Sequence, residues 1–277
     1  VVFEDDMREG LARRAALWRD LPEAAERGEL ELHYQPVIAL ADRSIAGVEA
    51  LLRWRHPGQR RLVPPFDFME IAESTRLIVP IGRWVIEQAC RDAARWNALL
   101  PDHAPLLVSV NVSPVQLGDT GLVDHIAAQI AAHRLHADQL GVELTETALL
   151  DRDTARRSRI TELPALGARL LLDDFGTGYS SLAHLRDYPL SAIKIDRSFM
   201  LGDDLAFQRD QKIVTAIAGL ARALGIAVVV EGVERLDRVG WLRDIPCEYV
   251  QGYAFSRPVP AAAIAQMLVR EQLRNAS

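Results

Sequence analysis

RLLLDDFGTGYSSL, residues 169–182, carries an apolar run of strand type into two adjacent acids and two glycines. Aspartate is a poor strand former and costly to bury, so Asp173 and Asp174 at the end of a buried strand call for water or cations beside them. Successive side chains of a regular strand point to opposite faces, so both acids can serve one site only if the backbone turns there. Gly176 and Gly178 make that turn possible. The stretch thus reads as a buried strand that delivers acid groups to a polar rim.

Working outward, similar strands recur at LELHYQPVIAL (30–40), SIAGVEALLRW (44–54), LLVSVNVSP (106–114), LGVELTET (140–147), AIKIDRSF (192–199), AVVVEGV (227–233) and EYVQGYAF (248–255). Helical stretches are expected between most of them: 66–75 with 81–99, 121–133, 153–165, 207–223, 234–243 and 260–274. About eight alternations of strand and helix without a low-complexity linker are the sequence form of a TIM-type (β/α)8 barrel, with a doubly wound sheet as the alternative. Only ALADRS joins the first two strands, too short for a crossover helix, so the expected fold is a modified barrel with an irregular, antiparallel first strand. Ahead of it, residues 4–28 read as a helix with Leu11, Ala15 and Trp18 at helical spacing, stopped by Gly28. Residues 1–28 are therefore set off as an N-terminal linker helix and 29–277 as the barrel.

The chain has 277 residues, 49% of them hydrophobic, enough for one large core. Its formal charge of −6 argues against a general nucleic-acid coat, so no DNA partner is expected and any phosphate must be bound locally. Cys90 and Cys247 form no metal or disulfide pattern, which fits a reducing, cytoplasmic setting. Apolar runs such as IAVVV fall short of the roughly 20 residues that span a bilayer, so no membrane contact is expected of this segment, although a longer parent could be anchored. A start at Val1 rather than methionine points to such a parent. Of 32 basic residues only Lys194 and Lys212 are lysines. A retained lysine offers a compact ammonium that a planar guanidinium cannot replace, though composition bias alone also accounts for either.

Glu49, Asn111, Glu143, Asp173 with Asp174, Lys194 with Asp196, Glu231 and Gln251 each fall near the carboxyl end of a strand, the end where barrel enzymes build their sites. Alternation puts Glu49 and Arg53 on one face, Lys194 and Asp196 on one face, and Glu143 and Glu146 on opposite faces. Singly, each has a plain structural explanation. A strand-end Glu is commonly a solvated rim charge, Asn111 before Ser113-Pro114 can be turn chemistry, Lys194 and Asp196 a salt bridge, Arg53 beside Trp54 a surface stack and Gln251-Gly252 a bend. Together, five carboxylates on one rim would take up protons unless something positive is bound. Carboxylates plus an amide, with no His or Cys, favour hard cations such as Mg2+ or Mn2+. The adjacent Asp173 and Asp174 are the place for a bridging ligand, and two ions about 3.5–4 Å apart are the usual apparatus for phosphodiester hydrolysis.

EALLRW (49–54), NVSP, ELTET, DDFGTGYSSL, KIDRSF, EGVE and QGY occur in the order found in the EAL family of cyclic di-GMP phosphodiesterases, and the chain resembles that family from about Leu30 to Pro260. The resemblance implies hydrolysis of cyclic di-GMP to linear pGpG with two Mg2+ or Mn2+ ions. It implies that Glu49, Asn111, Glu143 and Asp173 hold one metal, with Asp173 shared, and that Asp174 and Glu231 hold the second. Catalysis would rest on Lys194, which holds or polarises the attacking water, with Glu231 and Glu49. Arg53 would grip substrate phosphate, with Gln35 and Gln251 near the substrate. Asp196 looks like a supporting partner of the ligands, and Glu146 like the anchor of the loop containing Gly176 and Gly178, a loop that in the family also lies at a homodimer contact. VVFEDDM followed by a helix and GELELHYQP resembles the junction after an upstream GGDEF or sensory domain; a simple helix packed on the barrel is the other explanation.

Two departures stand out, Arg61 and Arg76, where the family often has glycine; neither touches an implied ligand. Two other functions stay open on the sequence. One is a catalytically silent cyclic di-GMP receptor or regulatory EAL module, for which broken ligand motifs would be expected. The other is an unrelated metal-dependent barrel of aldolase or enolase type using Lys194 as Schiff base or proton acceptor.

Overall fold

β1 (Leu30–Ala39) and β2 (Ile45–Trp54) form an antiparallel pair with Gln35 opposite Glu49 and a register shift between Val37 and Ile38. The short ALADRS connection permits nothing else, since a parallel partner needs a crossover of a dozen residues or so. This comes from a computed structural model, which describes residues 15–59, 62–100, 105–150, 153–177 and 182–275.

From β2 the sheet runs on through β3 (Leu107–Asn111), β4 (Leu140–Thr145), β5 (Arg169–Phe175), β6 (Ala192–Ile195), β7 (Ala227–Val230) and β8 (Tyr249–Gln251), each parallel to the one before. β8 then pairs antiparallel with β1, which closes eight strands into a barrel. A two-residue strand, β9 (Val259–Pro260), adds to β1 opposite His33 and Tyr34. The expected fold is therefore the one observed, with β1 as its inverted strand.

Helices cover the outside. Residues 15–24 form α1, whose buried face is Leu17, Leu21 and Ala24, packed into the main core. Trp18 of the expected face is 44% exposed, and Leu11 lies outside the described residues. The face was misjudged because tryptophan weighed more than the i, i+4, i+7 set beside it. Asp20 of α1 bonds His56 at 3.0 Å, tying this helix to the loop after β2.

The segment expected as one helix over 66–75 is a 3-10 turn, Pro65–Asp67, followed by α2 (Met69–Ser74). α3 (Ile78–Leu99) starts before Pro80, because proline in a first turn forfeits no helical hydrogen bond. α4 (Pro114–Leu117), α5 (Leu122–Ala132), α6 (Glu146–Leu149), α7 (Thr154–Ala165) and α8 (Leu182–Asp187) follow; the short α4, α6 and α8 lie outside the expected helical stretches. α9 (Asp204–Ala223) begins ahead of 207 because the Asp203 side chain accepts from the Ala206 N–H at 2.9 Å and caps it.

Residues 234–243 are not an α-helix. They form two 3-10 turns, Leu236–Arg238 and Gly240–Asp244, with Val239 and Leu242 buried three residues apart, the period of that tighter coil. α10 (Ala261–Asn275) is the last of the described elements. Among the described residues no helix is long and apolar enough to cross a membrane.

Candidate active site

The barrel's stagger sets the site. Glu49 on β2 has Ser109 of β3 beside it, and Asn111 follows on the same face. Asn111 in turn sits beside Glu143 of β4, which sits beside Leu171 of β5, and Asp173 follows on the face of Leu171. The polar residue thus rises by one same-face step from β2 to β3 and again from β4 to β5, while Asn111 and Glu143 stay level, as the stagger of a closed barrel allows.

These side chains converge on one group. The Lys194 ammonium on β6 lies 2.6 Å from Glu143 Oε2, 2.7 Å from Glu231 Oε1, 3.1 Å from Glu49 Oε2 and 3.2 Å from Asp173 Oδ1. Glu49 is held from both sides: Asn111 Nδ2 donates to Oε1 at 2.8 Å and Gln251 Nε2 to Oε2 at 2.7 Å. Gln251 Nε2 also lies 3.3 Å from Gln35 Oε1, and Gln35 donates to the Ser256 carbonyl at 3.1 Å. Gly252 after Gln251 is required by close approach, because a Cβ there would lie 2.2 Å from the Val233 carbonyl oxygen.

Four carboxylates sharing one ammonium carry surplus negative charge. Burial pushes the Glu143 carboxyl well above its ordinary range, and Glu49 and Asp173 push the same way against Lys194. Burial, with Asp173 and Glu49, likewise raises Glu231 to about 8 despite Lys194. Glu49 is the exception: burial disfavours its charge, but Lys194 and the Gln251 and Asn111 amides outweigh that and hold it below the usual range. Lys194 is also buried, yet Asp173, Glu143, Glu231 and Glu49 keep its proton well above the normal lysine range.

Asp173 and Asp174 part company as alternation demands, but the turn comes earlier than the glycines. Asp174 itself has φ +55, a left-handed conformation that aspartate tolerates better than most residues, and the β5–β6 register breaks between Leu172 and Phe175. Its N–H donates to Asp173 Oδ1 at 3.0 Å, and its carbonyl accepts from Thr177 Oγ1 at 3.0 Å. Asp174 is exposed at the rim beside the Lys194 cluster, and its partial burial, with Asp173 and Asp196, raises its pKa. Gly176 continues the turn at φ +99. Gly178 lies outside the described residues.

Asp196 is not an ion-pair partner of Lys194. It accepts from the Ser198 N–H at 2.9 Å and caps a 3-10 turn, Arg197–Met200, because a strand-end Asp followed by a turn finds a free backbone donor nearer than the strand interior. Glu146 is buried and opens α6, which packs on β4 and β5. Arg53 is half-buried, bonded to its neighbour's carbonyl at 2.8 Å, and its burial lowers its pKa against the pull of Tyr253 and Glu49. Tyr253, which the sequence reading did not single out, stands beside it and stacks under Arg257 at 4.3 Å. Its only sequence signal was its place in QGY.

The donor set fits a hard divalent cation, being all oxygen and already gathered around a positive charge. Among the described residues no three His, Cys, Asp or Glu side chains form a ready metal cage. The acids close on Lys194, which takes a cation's place among them.

Barrel and rim together define a class, the barrel hydrolases and binders that gather carboxylates at the strand ends. The chain matches the EAL domain model over residues 18–258 and belongs to that family. It is 44% identical over 249 residues to the cyclic di-GMP phosphodiesterase NbdA of Pseudomonas aeruginosa, covering 90% of this chain and 31% of NbdA. It is 42% identical over 261 residues to the bifunctional diguanylate cyclase/cyclic di-GMP phosphodiesterase MucR of the same organism, covering 94% of this chain and 37% of MucR. The solved PaMucR phosphodiesterase in complex with c-di-GMP aligns with a TM-score of 0.82 at 41% identity, covering 90% of this chain and 99% of that one. The chain spans about a third of the length of the curated relatives it matches first.

Proposed function

We propose that this domain hydrolyses one phosphodiester of cyclic di-GMP to linear pGpG, lowering a bacterial second messenger in the cytoplasm. One observation carries the proposal: four carboxylates, three on β2, β4 and β5 and one just after β7, with Asn111 and Gln251 bracing the first of them, converge on a single cationic centre.

Glu49, Asn111, Glu143 and Asp173 would hold one Mg2+ or Mn2+, and Asp174 and Glu231, with Asp173 shared, a second. Two such ions supply an activated water and neutralise charge developing on the phosphate. The chain's own groups do the rest. Lys194, released from the carboxylates, keeps its proton and orients the attacking water by hydrogen bonding. Arg53, charged and half-buried beside Tyr253, grips a phosphate oxygen, and Gln35 and Gln251 fix the substrate end of the Glu49 network. Glu146 and Gly176 shape the loop that follows Asp174, through which a homodimer would form.

The test is incubation of the purified protein with cyclic di-GMP in Mg2+, Mn2+ or EDTA, with products resolved by chromatography. Metal-dependent pGpG supports the hydrolase. Intact substrate together with tight binding would replace it with a receptor.

A further inference from the structure

The 3-10 turns Leu236–Arg238 and Gly240–Asp244 take the place of a crossover helix, and a groove of about 660 Å³ lies between them, α10 and the end of β1. Arg43 from the β1–β2 turn, Arg243 from the second 3-10 turn, and Arg270 and Arg274 one turn apart on α10 line it, over a partly apolar floor that includes Phe255 and Met267.

All four arginines are exposed, and none has an ion-pair partner among the described residues. Arginines elsewhere on the surface do pair, as Arg55 with Glu31, Arg83 with Asp119 and Arg95 with Asp92. One acid, Glu271, lines the groove with the arginines and accepts from the Ile45 N–H at 3.1 Å, while Asp42 beside it accepts from the Ser44 N–H at 2.9 Å and Asp237 pairs with Arg235. In a chain of formal charge −6, four unpaired guanidiniums around one concavity form a local positive field. None of these residues belongs to the acidic rim.

We propose that this groove is a binding site for a nucleoside phosphate. Planar guanidinium forks match phosphate oxygens in pairs, and the aromatic and thioether floor suits a flat base. The volume lies within the roughly 300–1,000 Å³ usual for small-molecule sites.

The experiment is calorimetric titration of the whole chain with ATP, pyrophosphate and adenosine in EDTA, which keeps divalent ions from recruiting phosphate to the acidic rim. Saturable ATP binding is expected, weakened at least tenfold by Arg243→Glu with Arg270→Glu and unmoved by Arg222→Glu on the exposed side of α9. Should the double variant not fold, Arg274→Gln alone is expected to weaken ATP binding severalfold, because its side chain is exposed and makes no hydrogen bond or ion pair among the described residues whose loss would unfold the chain. Pyrophosphate is expected to bind more weakly than ATP, and equal affinity would overturn the base-binding half of the proposal. Absence of ATP binding up to about 1 mM, or binding indifferent to the groove variants, overturns the whole.

Discussion

Lys194 Nζ lies 2.6 Å from the Glu143 carboxylate, with the two residues 1% and 2% exposed. Removing one partner of a buried ion pair strands the other, at a cost of about 3–5 kcal/mol. Lys194→Met is therefore expected to lower the unfolding free energy of the metal-free protein by about 3 kcal/mol, measured by urea denaturation in EDTA. Mg2+ or Mn2+ should recover more of that loss in the variant than it adds to the parent protein. Unchanged stability in EDTA would mean that the ammonium is not what holds the acids together. Turnover should vanish in this variant, and in Lys194→Arg as well, because a guanidinium keeps the charge but not the compact shape.

The rim acids also set a pH dependence. Glu231 titrates at about 8 in the folded chain against an ordinary 4.5, and Glu143 shifts the same way. An acid whose folded pKa is raised binds its proton more tightly in the native state, so its contribution is full below about pH 4.5 and is lost as pH climbs through 8. Without divalent ions the melting temperature should fall between pH 5 and 8, and Glu231→Gln should flatten that slope. With Mn2+ the decline should shrink, because the cation replaces the protons. A slope of opposite sign in EDTA would overturn the raised pKa of Glu231, because Glu49, held below its ordinary range, changes stability only below about pH 4.5 and adds no slope in this window.

Gln251 reaches Glu49 at 2.7 Å and Gln35 at 3.3 Å, bridging the inverted strand to the acidic rim. A partner that orients a metal ligand is worth about 10–100-fold when removed. Gln251→Ala should therefore reduce kcat by about that factor and weaken divalent-ion affinity, read separately by single-turnover kinetics and metal titration. A change confined to KM for cyclic di-GMP would instead make Gln251 a substrate contact alone.

How far the sequence carried this follows from which forces are local. Two-residue alternation was enough to place Glu49, Asn111 and Glu143 on the inner face, and the six residues of ALADRS were enough to invert β1, because both follow from covalent geometry. Strand-end position gathers Lys194 and the acids at one rim, but it leaves open which of them pair. A Lys194–Asp196 salt bridge fits the chain as a local alternative, whereas the ammonium instead meets Glu49, Glu143 and Asp173 of three other strands and Glu231 just after a fourth, and only barrel closure brings them within reach. The buried face of α1 and the 3-10 turns before β8 were misread for a similar reason. Trp18 and the run 234–243 have helical character locally, and it is packing against the barrel that selects Leu17, Leu21 and Ala24 in the one case and a tighter coil in the other.

Asp174 shows a local signal read one step late. The turn was assigned to Gly176 and Gly178, but the left-handed residue that begins it is the acid itself, at φ +55, and this is what lets Asp173 face Lys194 while Asp174 stays on the rim. Asparagine tolerates that conformation and a β-branched residue does not. Asp174→Asn should therefore keep the melting temperature while reducing turnover through loss of a carboxylate, whereas Asp174→Val should cost roughly 1–3 kcal/mol as well. Gly176 meets a second constraint, since a Cβ there would lie 2.6 Å from the Phe199 ring, so Gly176→Ala should destabilise the turn both by strain and by displacing that ring. Combining Gly176→Ala with Phe199→Leu should return part of the stability, the part owed to contact, and leave the part owed to φ. Full recovery in the double variant would show that crowding, and not the left-handed backbone, is what demands glycine at this position.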